Sequence, residues 1–316
     1  MLRILLSFGL VFFVTACATS PEGRSQLMAP APLQGFSAVY SEFDMHLKLV
    51  TAMDAPSCRE AECLADRAFD QRILALGRRL ADTAYRQHPD LHLRFPRFEF
   101  IVADKVDAGA ASSAGGTVVI YRGVRQLDLD DGALAFVLAR EIGHVIGGHH
   151  DENAATSILV AVAAQILLPV FNIARGATAA FSGGAATNAA ATTAGSAATA
   201  TAMASAASFA GSRVLRASYR PQQVREAEAI AMKLLVAAGW DGREVSDQLE
   251  ALHSPLPEEP GWTKELREST ERMASLMQGP VLPETQTAAN VFRYVAPAPA
   301  WQNNLLLPSP IVSKLF

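Results

Sequence analysis

The chain has 316 residues and a mass of 33.6 kDa, with 27 Lys plus Arg against 31 Asp plus Glu, a formal net charge of −4 and a pI near 6.0. That balance leaves no basic footprint for nucleic acid, so nucleic-acid binding is set aside, and with half of the residues hydrophobic and 18% charged a disordered chain is excluded. The length suits one globular unit with appendages, and three cysteines are too few for a disulfide-dense scaffold.

Arg3, the apolar run from Ile4 to Val14 and the sequence Val14-Thr15-Ala16-Cys17 read as an export signal. The ending resembles the lipobox of bacterial lipoproteins, which makes residues 1–16 a signal peptide and Cys17 the lipidated first residue. Ala18, where an aspartate would retain the chain at the inner membrane, resembles lipoproteins sent on to the outer membrane. The expectation is therefore an outer-membrane lipoprotein facing the periplasm, held to the membrane by its N-terminal lipid. The apolar stretch is shorter than the roughly 20 residues that span a bilayer. An oxidising periplasm favours a local Cys58–Cys63 disulfide over two free thiols, provided that the intervening chain is not regular helix.

Residues 17–35, with Pro21, Pro30 and Pro32 among small residues, read as a tether. From Phe36 to His88 apolar positions recur at helical spacing, as in Ile73, Leu76, Leu80 and Tyr85, until Pro89. Phe95, Phe98, Phe100 and Val102 alternate as in a strand, and Thr117–Tyr121 reads as a second strand after the Gly115-Gly116 turn. Asp130 and Asp131 sit where a helix should be capped, ahead of Leu134, Val137, Leu138 and Ile142, and that helix is expected to stop at Gly147-Gly148. Residues 154–212 form an Ala-rich insertion, with an apolar stretch from Ser157 to Phe171 expected as a buried or interface-lying helix. A helix is expected from Tyr219-Arg220-Pro221 to Gly239, and another from Lys264 to Met277. Residues 278–316 make a Pro-containing tail, so the folded body is expected over 36–277.

Leu138-Ala139-Arg140-Glu141-Ile142-Gly143-His144 carries the chemistry. On a helix, residues 140, 141 and 144 share a face. With histidine at 140 the stretch would be His-Glu-x-x-His, two imidazoles holding zinc around a glutamate base, but the residue is arginine. The order of Gly115-Gly116 with the strand to Tyr121, then Ala139 to His144, then Arg225-Glu226-Ala227-Glu228 before Gly239-Trp240-Asp241, resembles HtpX-like gluzincin zinc metallopeptidases. This likeness covers about Ile73 to Met277. It implies a zincin-like fold, mainly helical α+β with a small sheet and an active-site helix, and an edge strand, Thr117–Tyr121, beside the substrate cleft. It further implies zinc as cofactor, Glu141 as the catalytic base, and His144 and Glu226 as metal ligands.

Three departures stand against full activity. Arg140 occupies the first ligand position, Glu228 stands for the aspartate that supports a ligand histidine, and Leu266-Arg267 replaces a His-Pro pair upstream of Arg272. Arginine keeps its proton and offers no lone pair to a metal, so two ligands would remain where three are needed. Without zinc, Glu141 and Glu226 would be two buried negative charges, and Arg140 is expected to pair with one of them while a protonated His144 offsets the other. In the competing reading Arg140 points to solvent and a weakened metal site persists. His149 and His150, roughly 140° and 240° around a continuous helix from His144, are expected at the surface and off the ligand face. The sequence thus leads to an impaired metalloendopeptidase-type lipoprotein, a pseudo-peptidase that binds extended or misfolded envelope polypeptides. Its rival is an active zinc-dependent endopeptidase of envelope protein quality control.

Overall fold

The computed structural model describes residues 17–28, 34–160, 217–251 and 261–278. Residues 1–16, expected as a signal peptide, residues 161–212 of the Ala-rich insertion and all but the first residue of the tail lie outside them.

A short antiparallel hairpin, β1 (Cys17–Thr19) and β2 (Ser25–Leu27), opens the described chain where the sequence suggested a tether. The turn depends on Gly23 at φ +85°, where a residue with a Cβ would be strained, and on a hydrogen bond from the Arg24 amide to Ser20 Oγ. Helix α1 (Gln34–Thr51) follows, then α2 (Ala61–Gln87), whose buried Phe69, Ile73, Leu76 and Leu80 keep the helical spacing seen in the sequence. Cys58, ahead of α2, is bonded to Cys63 in its first turn at a Cα separation of 5.1 Å, so the favoured disulfide forms because the segment before Ala61 is not helical.

After the one-turn α3 (Leu91–Arg94) comes a three-stranded sheet of β3 (Glu99–Ala103), β4 (Ala110–Ser112) and β5 (Thr117–Tyr121) in the order β3-β5-β4. β5 runs parallel to β3 and antiparallel to β4. The expected edge strand Thr117–Tyr121 is therefore the central one. Its continuous run of Val118, Val119 and Ile120 is buried on both faces, as suits a central strand. The edge on the site's side is β4, which pairs through Ala110↔Ile120 and Ser112↔Val118.

Helix α4 (Asp131–Ile146) is the core element. Asp130 caps it, its side chain accepting from the Ala133 amide at 2.8 Å. Leu134, Phe136, Val137, Leu138, Ile142 and Val145 are buried all around it, as befits a helix with protein on every side. Gly143 permits the close approach of the helix over residues 217–237 (α6), since a Cβ there would meet the Ala227 carbonyl oxygen at 2.5 Å. At Gly147-Gly148 the chain turns, Gly148 taking φ +67°, and a separate helix covers residues 149–160 (α5). Arg94 secures that turn by donating to the Val145 carbonyl and to Asp151. The remaining described elements are α7 (Gly242–Ala251), which the sequence reading lacked, and α8 (Trp262–Gln278). The body is thus mainly helical α+β with a small sheet.

Candidate functional site

Helix α4 delivers Arg140, Glu141 and His144 into the core, but the three side chains go different ways. Arg140 is only 2% exposed, which removes the reading in which it faces solvent. Its Nη1 donates to Ser269 Oγ on α8 at 3.0 Å, while Nη2 lies 3.6 Å from Glu265 Oε1 and 3.9 Å from Glu141 Oε1. The Trp262 ring lies 6.0 Å from the guanidinium carbon. Glu141 is thus one of two loosely placed anions for Arg140. The expected alternative, Glu226, is not among its ion pairs.

Glu141 points to the edge strand, where its Oε2 accepts from Ser112 Oγ at 2.9 Å. His150 Nε2 donates to the same hydroxyl at 3.1 Å, giving a relay His150–Ser112–Glu141. Burial raises the Glu141 carboxyl above its ordinary value, against the opposing pull of Arg140 and Ser112. A carboxyl raised in this way holds its proton more readily than one in water. Burial likewise drives His150 down to about 3, with His149 acting in the same sense.

His144 is reached by a residue the sequence reading placed at the surface. Because the Gly-Gly turn starts a new helix axis, His149 is not 140° away around α4 but folds back, 1% exposed, between α4 and α6. Its Nδ1 lies 2.8 Å from His144 Nδ1, one donating and the other accepting, and its Nε2 lies 3.1 Å from Glu226 Oε2. Glu226 and His144 thus touch opposite ends of one imidazole. His144 does not carry the positive charge expected of it, since burial, with His149 and Arg140 nearby, lowers it well below the ordinary histidine value.

The cation facing Glu226 is Arg24, from the N-terminal hairpin. Its Nε donates to Glu226 Oε2 at 2.8 Å, and Nη1 and Nη2 grip Glu152 Oε1 and Oε2 at 2.9 and 2.7 Å. Gln223 Nε2 donates to Glu152 as well, at 2.8 Å. Burial alone would raise Glu226, but hydrogen bonding with His149, Ser20 and Arg24 outweighs it and leaves the carboxyl at about 2. The bonds to Glu152 in turn hold the Arg24 guanidinium more firmly protonated than usual.

Glu228, expected to support a ligand histidine, serves the other arginine cluster. It accepts from Ser269 Oγ and from Arg272 at 2.7 and 3.0 Å, so Arg140, Ser269, Glu228 and Arg272 form one connected chain between α4, α6 and α8. Arg24, Ser112, His149, His150, Glu152 and Ser269 are the site residues that sequence reasoning missed. The run His149-His150-Asp151-Glu152 after Gly147-Gly148 was a usable signal, had the turn been treated as a new helix start. Arg24, a single cation in a Pro-containing stretch, gave none.

The zinc that the resemblance implies does not fit the side chains as they stand. A tetrahedral ion needs its donors aimed at one point about 2.0–2.1 Å from each imidazole nitrogen. His144, His149 and Glu226 instead form a linear chain through the two ends of one ring, and Arg24 takes the carboxylate that would bind the ion. Among the described residues no three His, Cys, Asp or Glu side chains are arranged to hold a metal.

Beside the site, Lys48, Ala110, Tyr121, Arg220, Trp262 and Glu265 border an open cavity of about 470 Å³. It connects the start of the β4 edge with the residues around Arg140.

Comparison with curated proteins and with solved structures finds no match. The family model for peptidase family M48 matches residues 49–276, which takes in α2, the sheet, α4 with Glu141 and His144, α6 with Glu226, and nearly all of α8. The family is one of zinc metallopeptidases, so a metallopeptidase-type domain is what this part of the sequence encodes, and the chain belongs to peptidase family M48.

Proposed function

We propose that this chain is a cell-envelope lipoprotein, anchored through Cys17 to the outer membrane and facing the periplasm, whose peptidase domain binds extended or misfolded envelope polypeptides with impaired hydrolysis. The observation that carries the reading is Arg140: at the position where the resemblance puts the first metal-binding imidazole stands a buried guanidinium committed to Ser269, Glu265 and Glu141. Binding is supported by the β4 edge, whose one strand neighbour among the described residues is β5, next to a cavity walled by Trp262 and Tyr121. An extended peptide can add its backbone hydrogen bonds to such an edge.

The rival reading, an active endopeptidase, draws on Glu141, a raised carboxyl held in place by Ser112. One experiment separates them. Full-chain protein is mixed with a fluorescent, unstructured casein peptide, following anisotropy and cleavage with and without chelator. Impaired hydrolysis predicts binding without chelator-sensitive cleavage, weakened about tenfold, or ~1.4 kcal/mol, by Trp262→Ala. Chelator-sensitive cleavage that disappears in Glu141→Gln would establish the active enzyme instead.

A further inference from the structure

Helix α1 turns an apolar face away from the body. Its inward face packs through Ser37, Ser41 and Met45: Ser41 Oγ accepts from the Ala114 amide at 2.9 Å, and Met45 is buried with Ala111 of β4 and Val119 of β5. Val39, Phe43 and Val50 lie roughly 160–200° around the axis from Ser41, and Phe36 and Leu47 border them. Together with Met53, just past the helix end, these side chains are 51–77% exposed. The other exposed large apolar side chains among the described residues, Leu64, Leu74, Leu93, Ile101 and Val236, are spread over α2, α3, β3 and α6. Such scattered residues are ordinary, whereas six along one stripe form a contiguous patch of the kind that marks an interaction site.

We propose that this stripe is the contact between two copies of the chain, whose α1 helices pair antiparallel about a two-fold axis. The spacing carries the inference. Positions 36, 39, 43, 46, 50 and 53 are symmetric about the midpoint between Asp44 and Met45, so the pattern superposes on itself when the helix is reversed. In that register Phe36 meets Met53 of the second copy, Val39 meets Val50, and Phe43 meets His46 with Leu47 beside it. A two-fold contact uses the same patch twice, so each of these pairings forms twice. The polar border agrees, because Glu42 comes within one turn of the other copy's His46 and sets a carboxylate against an imidazole N–H. A lipid surface is a poorer occupant. Helices that lie in a bilayer interface carry Lys and Arg along the polar face, whereas Glu42 and Asp44 border this stripe on its two sides. The one lysine of α1, Lys48, is held by Asp44 at 3.0 Å and borders the cavity. Pairing would fix the outer side of the helix whose inner side holds β4, which steadies the edge strand beside the candidate site. The inference is independent of metal and of peptide binding.

The test uses the full chain carrying Cys17→Ser, which removes the one cysteine outside the disulfide. Sedimentation velocity over a wide range of concentration is expected to show a dimer of this parent chain. Val39→Glu, which buries a carboxylate in the contact, should weaken association at least about tenfold. Adding Val50→Lys should recover most of that loss, because in the antiparallel register each introduced carboxylate meets an introduced ammonium of the other copy. Within one chain positions 39 and 50 are about 16 Å apart along the helix, too far to pair. Disulfide trapping fixes the direction: under mild oxidation a mixture of Val39→Cys and Val50→Cys chains should cross-link, and either variant alone several-fold less, since equivalent positions of the two copies are again about 16 Å apart. The proposal is overturned if the parent chain stays monomeric throughout, including the case where it floats with phosphatidylethanolamine vesicles and the stripe belongs to a lipid surface. It is equally overturned if Val39→Glu dimerises as tightly as the parent, if Val50→Lys recovers nothing, or if single cysteine variants cross-link as readily as the mixture.

Discussion

Two arginines sit within the same candidate site and solve the same electrostatic problem differently. Arg140, on α4, is nearly sealed from water but makes one close hydrogen bond, to Ser269, and meets its carboxylates at 3.6 and 3.9 Å. Arg24, on the hairpin, is more accessible yet makes charge-assisted bonds to two carboxylates at 2.7–2.9 Å. The difference follows from where each side chain begins. Arg140 leaves a helix whose position is dictated by the packing of Leu138 and Ile142, so its guanidinium reaches what α8 offers. Arg24 leaves a short turn that could adjust to its partners. Burial without close pairing makes an arginine structurally critical, whereas close pairing from a small appendage makes it replaceable.

The largest effect should come from the sealed arginine. Arg140→Ala takes the nearby cation from Glu141 and one donor from Ser269, and by analogy with other broken buried pairs it should cost ~3–5 kcal/mol in urea unfolding. Arg140→Met, which fills the same space without charge, should recover part of that loss. If both substitutions cost less than ~1 kcal/mol, a range usual for exposed ion pairs, the contrast between the two arginines fails.

Arg24→Ala should cost less, about 1.5–3 kcal/mol, the range for hydrogen bonds to charged groups, because water can reach Glu152 and Glu226 once the side chain is gone. The two arginines share no hydrogen-bond or ion-pair partner, so the double variant should be additive within about 0.5 kcal/mol. A coupling well beyond that in the double-mutant cycle would show one electrostatic unit in place of two. Ser269→Ala, which leaves Arg140 Nη1 and one Glu228 bond unmet, should cost ~1–3 kcal/mol by the same denaturation measurement.

Much of the fold could be read from the chain because periodicity and capping report local structure directly. The spacing of Ile73, Leu76 and Leu80, the Asp130 cap and the Gly239 stop all have local causes, and each appears where it was expected. Strand order is not local: the Val118-Val119-Ile120 run marked a buried strand, yet Thr117–Tyr121 was assigned to an edge it does not occupy. The site divides in the same way. Glu141 and His144 follow from helix geometry, while His149 and Arg24 depend on a change of helix axis at Gly148 and on a docked hairpin. Treating residues 144–150 as one continuous helix put His149 on the wrong face, and the charge assigned to His144 went wrong with it.

The smallest effect, and the one that isolates the edge-strand side of the site, concerns acid stability. His150 is held neutral down to about 3, chiefly by burial, while an unfolded histidine titrates near 6.5. Between those values the unfolded chain binds a proton that the folded chain refuses, so this group makes stability rise with pH through the window and adds no further slope above it. Glu141, joined to His150 through Ser112, works in the opposite sense, because a raised carboxyl keeps its proton in the folded state above the unfolded value. Comparing variant with wild type removes that shared contribution. His150→Gln retains an amide that can donate to Ser112 but has no proton to gain, so its melting temperature should fall less than that of wild type between pH 7 and pH 4. Parallel curves would mean that His150 gains water or a proton without unfolding, and that the relay to Glu141 is looser than its 2.9 and 3.1 Å contacts imply.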